Sequence, residues 1–280
     1  MRRGDALFRA LFLVQFSFLA FTCMRMRKKI LPIPHIIHQM HVTHDRLSTV
    51  ERQLSDGCQR LNKDFAYRFW TDAAIDAFVK NHFPNDYAWW KVMEPPIKRA
   101  DTSRYMLLYT FGGVYIDLDV ECISPLSKAI ASLPKGTAWV GGFPEPFQLM
   151  SSPRNAFWLH MIRHVEDTVQ NKDAWTSSGP AGLNDAIVDY VRGRDVIVPW
   201  KTSVHHEEWT KNAPVPWFYN KSIVTKRRHG DNVGIGFWPN QLVDPGACAE
   251  SKHCPNESCA SVWPWALYAH HCIGSWRVMS

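Results

Sequence analysis

Apolar positions in this chain follow two alternating periods. Runs of β-branched and aromatic residues at about 33–39, 65–71, 114–120, 137–141 and 196–200 predict strands. Between them, apolar residues at helical spacing predict helices over about 47–61, 72–82, 97–110, 125–133, 155–170 and 182–191. Strands separated by helices imply an α/β fold with a mainly parallel sheet, which binds its ligands at the carboxyl ends of the strands. Beyond Trp200 the chain is rich in Pro, Trp, His and Cys without a clear period. That part reads as an irregular C-terminal cap on one domain spanning 31–280.

One strand breaks the apolar rule. Gly112-Gly113-Val114-Tyr115-Ile116-Asp117-Leu118-Asp119-Val120 carries two carboxylates near its far end. A buried, unpaired carboxylate is costly, so the pair calls for a cation or a polar rim. Side chains at i and i+2 leave one face of a strand roughly 6.5 to 7 Å apart. Asp117 and Asp119 can therefore reach one divalent ion, which makes Asp-x-Asp a candidate metal site. Tyr115 shares the Asp117 face, where it either lines a cleft or packs in the core.

The predicted helix upstream stops at Phe111-Gly112-Gly113, a C-terminal glycine signal. On that helix Asp101 and Arg104, at i and i+3, share a face beside the strand. Asp101 suits ribose or sugar hydroxyls, and Arg104 offers a planar fork of donors to phosphate oxygens. The duller alternative is that the two only pair with each other.

Composition agrees with one catalytic-sized domain: 280 residues, 46% hydrophobic and 21% charged. The net charge of +6 favours an anionic ligand, but apart from the N-terminus the basic residues are dispersed, so no nucleic-acid footprint is present. Thirteen Trp offer stacking surfaces for sugars or bases, although a large aromatic more often packs in a core. Within 1–30, Arg2, Arg3 and Arg9 precede an apolar run and Arg25, Arg27, Lys28 and Lys29 follow it. That segment reads as a signal peptide or signal anchor. The remaining cysteines, Cys58, Cys122, Cys248, Cys254, Cys259 and Cys272, leave their pairing open, with a disulfide expected among the three at 248–259. Asn220-Lys221-Ser222 and Asn256-Glu257-Ser258 are glycosylation sequons and agree with a lumenal or secreted domain.

A family resemblance rests on several of these segments together. Pro96-Ile97-Lys98-Arg99-Ala100-Asp101-Thr102-Ser103-Arg104-Tyr105, followed by the strand from Gly112 to Asp119, resembles the DXD region of glycosyltransferase family 32. That family includes initiating mannosyltransferases of fungal N-glycan outer chains and mannosyltransferases acting on inositol phosphoceramide. Ile33-Pro34-His35-Ile36-Ile37-His38-Gln39, Tyr67-Arg68-Phe69-Trp70-Thr71-Asp72 and His270-His271-Cys272-Ile273-Gly274-Ser275-Trp276 resemble its first strand, second strand and C-terminal signature. Ser177-Ser178-Gly179-Pro180 resembles a further family segment.

The resemblance implies a GT-A, Rossmann-like fold and a metal-dependent retaining transferase. It would move a hexose, mannose favoured, from a nucleotide-diphosphate sugar such as GDP-mannose to a glycan or glycolipid. Asp117 and Asp119 would be catalytic and would hold Mn²⁺ or Mg²⁺ with His271, or else with His270. His38, Gln39, Asp101, Arg104, Tyr115, Ser178, Gly179, Pro180, Ser275 and Trp276 would bind the nucleotide sugar. Relatives place an Asn against the donor sugar in the segment before Pro153; Gln148 is its nearest substitute here. Cys272 stands where relatives often carry an aromatic residue. The segment 1–30 would be a type II anchor in the Golgi membrane, or a cleaved signal on a secreted enzyme. A UDP-hexose donor carrying galactose or N-acetylglucosamine is the nearest variant. A non-catalytic metal-dependent sugar-binding protein and a glycoside hydrolase are readings from other classes.

Overall fold

A computed structural model describes residues 31–131, 133, 135–141, 146–170, 172–191, 223–224, 234–238 and 266–271. The first unit is β1 (Ile36–His41), α1 (Thr49–Leu61) and β2 (Ala66–Thr71). Ser48 starts α1 through a capping box, its hydroxyl accepting from the Glu51 amide while the Glu51 carboxylate accepts from the Ser48 amide. β1 and β2 pair in parallel, as a helical crossover between adjacent strands requires. α2 (Asp72–His82) follows at once, with the Thr71 hydroxyl accepting from the Ala74 amide. The single turn α3 (Tyr87–Lys91) then leads into α4 (Ile97–Phe111).

The reversal from α4 into β3 (Gly113–Ile116) needs both glycines. Gly112 has φ 65°, and a β-carbon there would lie 2.6 Å from the Pro153 nitrogen. Gly113 has φ 93°, and its β-carbon would lie 2.6 Å from the Ile36 carbonyl oxygen. Only glycine adopts such angles against backbone this close. β4 (Val120–Cys122), α5 (Leu126–Ala131), β5 (Thr137–Gly141) and β6 (Gln148–Ser151) come next. α6 (Ala156–Thr168), α7 (Ala174–Ser177), α8 (Pro180–Val191), β7 (Ile223–Val224), β8 (Gly234–Trp238) and β9 (Tyr268–His270) complete the described elements.

The seven-stranded sheet has the order β2-β1-β3-β6-β5-β8-β7. β1, β2, β3, β5 and β8 run one way, and β6 and β7 run against them. The α/β class and the predominance of one strand direction thus agree with the sequence pattern. One face is buried under α2, α4, α6 and α8, with Tyr105, Met106, Trp158 and Leu183 at its centre. The other is buried under α1 and α5, with Ile116, Val120, Leu126 and Tyr268.

The expected strand at 114–120 is broken. β3 ends at Ile116, Asp117-Leu118-Asp119 form a turn, and β4 leaves the main sheet to pair antiparallel with β9. The period-2 alternation runs on through the turn, which hides the break in the sequence. β6 was also unforeseen, being four residues long and preceded by Pro-rich chain. Residues 1–30 and 196–200, Ser275, Trp276 and the sequons lie outside the described residues, as do Cys248, Cys254, Cys259 and Cys272. Among the described residues no helix is long and apolar enough to cross a membrane.

Candidate active site

The Asp117–Asp119 turn stands at the carboxyl end of β3, where an open α/β sheet presents its ligand-binding edge. The Val120 amide bonds back to the Asp117 carbonyl at 3.3 Å, closing the turn. Phe147 accepts from the Asp117 amide at 2.8 Å, and the His271 amide donates to the Asp119 carbonyl at 2.8 Å. Segments on either side, 30 and 152 residues downstream, thus fix the turn's backbone.

Asp117 stays 28% exposed while the groups around it are buried. Tyr115 donates its hydroxyl to Asp117 Oδ1 at 2.7 Å, confirming that the two share a face. Arg104 Nη1 lies 3.5 Å from Asp117 Oδ2 and donates to the Pro146 carbonyl at 2.6 Å. Burial pushes the Asp117 carboxyl above its ordinary value, the Arg104 charge opposes that, and the Asp119 charge adds to it. Two like charges on one turn make this a place that favours a cation.

Asp101 and Arg104 form a buried pair, with Nη2 to Oδ1 at 2.9 Å and side chains 7% and 6% exposed. Ser178 donates its hydroxyl to Asp101 Oδ2 at 3.0 Å, and Tyr105 donates to the Ser178 carbonyl at 2.7 Å. Burial raises Asp101 to about 6, against the pull of Arg104 and Ser178. Burial alone would lower Arg104, but the Asp117, Tyr115 and Asp101 oxygens outweigh it and hold the guanidinium charged. The Arg104 guanidinium carbon also sits 4.9 Å from the Tyr115 ring centre. Its Nε is buried with no hydrogen-bond partner. The expected duller pairing of Asp101 with Arg104 is therefore present, and it is buried rather than superficial.

His38 lies against the start of β3 and Gln39 against the turn at its end, and neither side chain is exposed. Trp70 Nε1 can only donate, so His38 Nδ1 accepts from it at 3.1 Å and Nε2 donates to the Gly112 carbonyl at 3.0 Å. Burial lowers His38 to about 4, which keeps it neutral. Gln39 Oε1 accepts from Ser55 at 2.7 Å and Tyr67 at 2.8 Å, while Nε2 points to the Asp117 carbonyl at 3.4 Å. Both residues thus bond to backbone carbonyls, His38 to that of Gly112 and Gln39 to that of Asp117.

The two C-terminal histidines separate. His270 Nε2 is 3.3 Å from Asp119 Oδ1, and its ring stacks on Phe147 with centroids 4.3 Å apart. His271 Nε2 is 3.0 Å from Glu121 Oε2, on the opposite side of the small sheet. The fallback choice, His270, is the one whose ring faces the turn, whereas His271 reaches Asp119 only through its backbone amide. Among the described residues no three His, Cys, Asp or Glu gather as a ready metal cluster. Two carboxylates and a facing imidazole nonetheless suit a hard or borderline divalent ion whose other ligands come from a bound diphosphate.

Ser178 and Gly179 pack behind Asp101. A β-carbon on Gly179 would lie 2.9 Å from the Ala174 carbonyl, so the residue serves the α7–α8 corner; Pro180 opens α8. Gln148 is fully buried, and neither amide atom has a partner. Ser55, Tyr67, Phe147 and Glu121 were missed by sequence reasoning. The one readable signal was polar Ser55 and Cys58 on the buried stripe of an amphipathic helix.

Known proteins are similar to parts of this chain. The family described as a glycosyltransferase sugar-binding region containing a DXD motif matches residues 48–136. A mannosyl phosphorylinositol ceramide synthase of Saccharomyces cerevisiae is 37% identical over 145 residues, 50% of this chain and 37% of the relative. Inositol phosphoceramide mannosyltransferase 3 of Schizosaccharomyces pombe is 36% identical over 109 residues, 39% of this chain and 29% of the relative. The matches thus span less than two fifths of those relatives' own lengths. A solved structure, the PaToxG glycosyltransferase, superposes with a TM-score of 0.46 at 17% identity, covering 59% of this chain and 72% of that one. The resemblance read from the sequence is matched by the DXD-containing family over residues 48–136, the region that carries the Asp117–Asp119 turn.

Proposed function

We propose that this protein is a metal-dependent glycosyltransferase that moves a hexose, mannose favoured, from a nucleotide-diphosphate sugar to a glycolipid or glycan. The observation that carries the reading is the braced Asp117–Asp119 turn at the carboxyl end of β3 with the buried Asp101–Arg104 pair behind it. The names of the two fungal relatives favour mannose and an inositol-phosphate sphingolipid acceptor.

In this reading Asp117 and Asp119 hold Mn²⁺ or Mg²⁺, and His270 is the better placed imidazole. The ion would neutralise charge on the departing diphosphate. Tyr115 and Arg104 aim Asp117, the Tyr115 hydroxyl at Oδ1 and the Arg104 Nη1 at Oδ2, and both favour its charged form against the burial that raises it. Asp101 fixes Arg104 from the other side. A retaining outcome follows the family resemblance, and no nucleophile is assigned. Asp117 and Asp119 sit on one three-residue turn, whereas a hydrolase needs its carboxylates on both sides of the bond it cleaves. The Cys58–Cys122 disulfide supports an oxidising, Golgi-lumenal setting for 31–280, with 1–30 as its anchor.

The test is a donor panel. GDP-mannose, GDP-fucose, UDP-galactose and UDP-N-acetylglucosamine are offered to the purified full chain with an inositol phosphoceramide acceptor, with and without chelator. Mannose transfer that needs Mn²⁺ or Mg²⁺ is expected. Turnover that survives the chelator, or sugar binding without turnover of any donor, contradicts the reading.

A further inference from the structure

One face of one helix holds both ends of the Asp117–Asp119 turn. Glu51, Ser55 and Cys58 form the buried stripe of α1, and the last two are 4% and 0% exposed. A serine there is costly unless its hydroxyl is satisfied. It is satisfied toward the turn: Ser55 donates to Gln39 Oε1 at 2.7 Å, and Gln39 Nε2 reaches the Asp117 carbonyl at 3.4 Å. Tyr67 adds a second donor to Gln39 at 2.8 Å, fixing which way the amide faces. One helical turn further on, Cys58 is disulfide-bonded to Cys122, the last residue of β4 and three residues beyond Asp119, with Cα atoms 4.9 Å apart. Asn62, the C-cap of α1, accepts from the Leu126 amide at 2.8 Å and so ties the start of α5 to the same helix. The turn has little to hold it from within. Its own closing bond is 3.3 Å long, and its two acids repel each other.

We propose that α1 is a positioning element for the cation-binding turn: Ser55, acting through Gln39, and Cys58, acting through Cys122, clamp its two ends. Cation affinity then depends on a helix that touches neither cation nor donor. The inference rests on the reading of Asp117 and Asp119 as cation ligands.

Two measurements on the full chain test it, below the melting point of every variant. Mn²⁺ affinity is read by electron paramagnetic resonance with the metal alone, and backbone hydrogen exchange is read without metal. Ser55→Ala and the double variant Cys58→Ala/Cys122→Ala should each weaken Mn²⁺ binding about three- to tenfold and speed exchange at 117–122 by a similar factor. Exchange within α6 should not change, and Ser55→Thr, which keeps a hydroxyl, should restore both readouts. A purely structural role would lower the melting temperature and leave the Mn²⁺ affinity of the folded protein intact. Unchanged exchange at 117–122, or faster exchange with unchanged affinity, overturns the proposal. Equal Mn²⁺ binding by the wild type and Asp119→Ala would instead overturn the cation-site reading, while the exchange data still decide whether α1 clamps the turn.

Discussion

On the sheet face covered by α4, α6 and α8, the Asp117–Asp119 turn meets charge. Arg104 and Asp101 lie almost wholly buried there, held by each other, Ser178, Pro146 and Tyr115, with only Arg104 Nε left without a partner. On the face covered by α1 and α5 the turn meets uncharged ties: Gln39 with its two hydroxyl donors, and the Cys58–Cys122 bond. The charged side is expensive to build, because two ions leave water, and it is unforgiving when one partner is lost. The uncharged side is less costly and degrades by steps. What differs is therefore the consequence of damage: loss on the first face leaves an orphaned ion in the core, whereas loss on the second loosens geometry.

The largest expected effect is on the turn that both faces serve. Asp119→Ala should lower transfer by about a thousandfold or more, in keeping with several kcal/mol of charge stabilisation at the leaving group. Its melting temperature should stay close to that of the wild type, since losing the His270 contact is offset by relief of the repulsion between the turn's two acids; steady-state turnover and a thermal scan check both. Next comes the charged face. Arg104→Ala strands Asp101 in the core and should destabilise the fold by about 4 kcal/mol, read from urea unfolding. A loss under about 1 kcal/mol would mean that the pair is more solvated than its burial indicates.

Third is the pH dependence of that pair. Asp101 is raised from its ordinary carboxylate value to about 6 in the folded state, so the folded protein binds the proton more tightly than the unfolded chain. Its contribution to stability is therefore full below about pH 4 and is lost as pH rises through about 6. At most about 3 kcal/mol is involved. Stability against pH for the wild type minus Asp101→Asn should fall across that window and level off above it; a flat difference contradicts the assignment. The smallest effect belongs to Ser178→Ala. It removes one hydrogen bond from Asp101 and should cost about 1–2 kcal/mol by urea unfolding, with the pH window displaced upward.

Much of the scaffold was written in local periodicity. The Asp72–His82 helix and the Thr137–Gly141 strand fall where apolar spacing puts them, because cap and period agree at those places. The Gly112-Gly113 reversal was legible because no other residue tolerates those angles. The break after Ile116 was not, since Asp117-Leu118-Asp119-Val120 keeps the strand period while its backbone is claimed by Phe147 and His271 far along the chain. His38 and Gln39, expected to touch the nucleotide, spend their polar atoms on the Gly112 and Asp117 carbonyls and on Trp70, Ser55 and Tyr67. A polar residue at a strand end looks the same in sequence whether it faces a ligand or, like these, a buried carbonyl. The choice between His270 and His271 turned on the β4–β9 register, which joins segments 150 residues apart.

The central claim is that Asp117 and Asp119 seat a divalent ion against the donor's diphosphate. Crystals of the full chain grown with Mn²⁺ and GDP, with anomalous scattering recorded at the manganese edge, test it most directly. The account predicts one strong peak within coordination distance of Asp119 and of the nucleotide phosphates, with His270 rather than His271 on the near side. A peak elsewhere, or phosphates bound away from the end of β3, would contradict it.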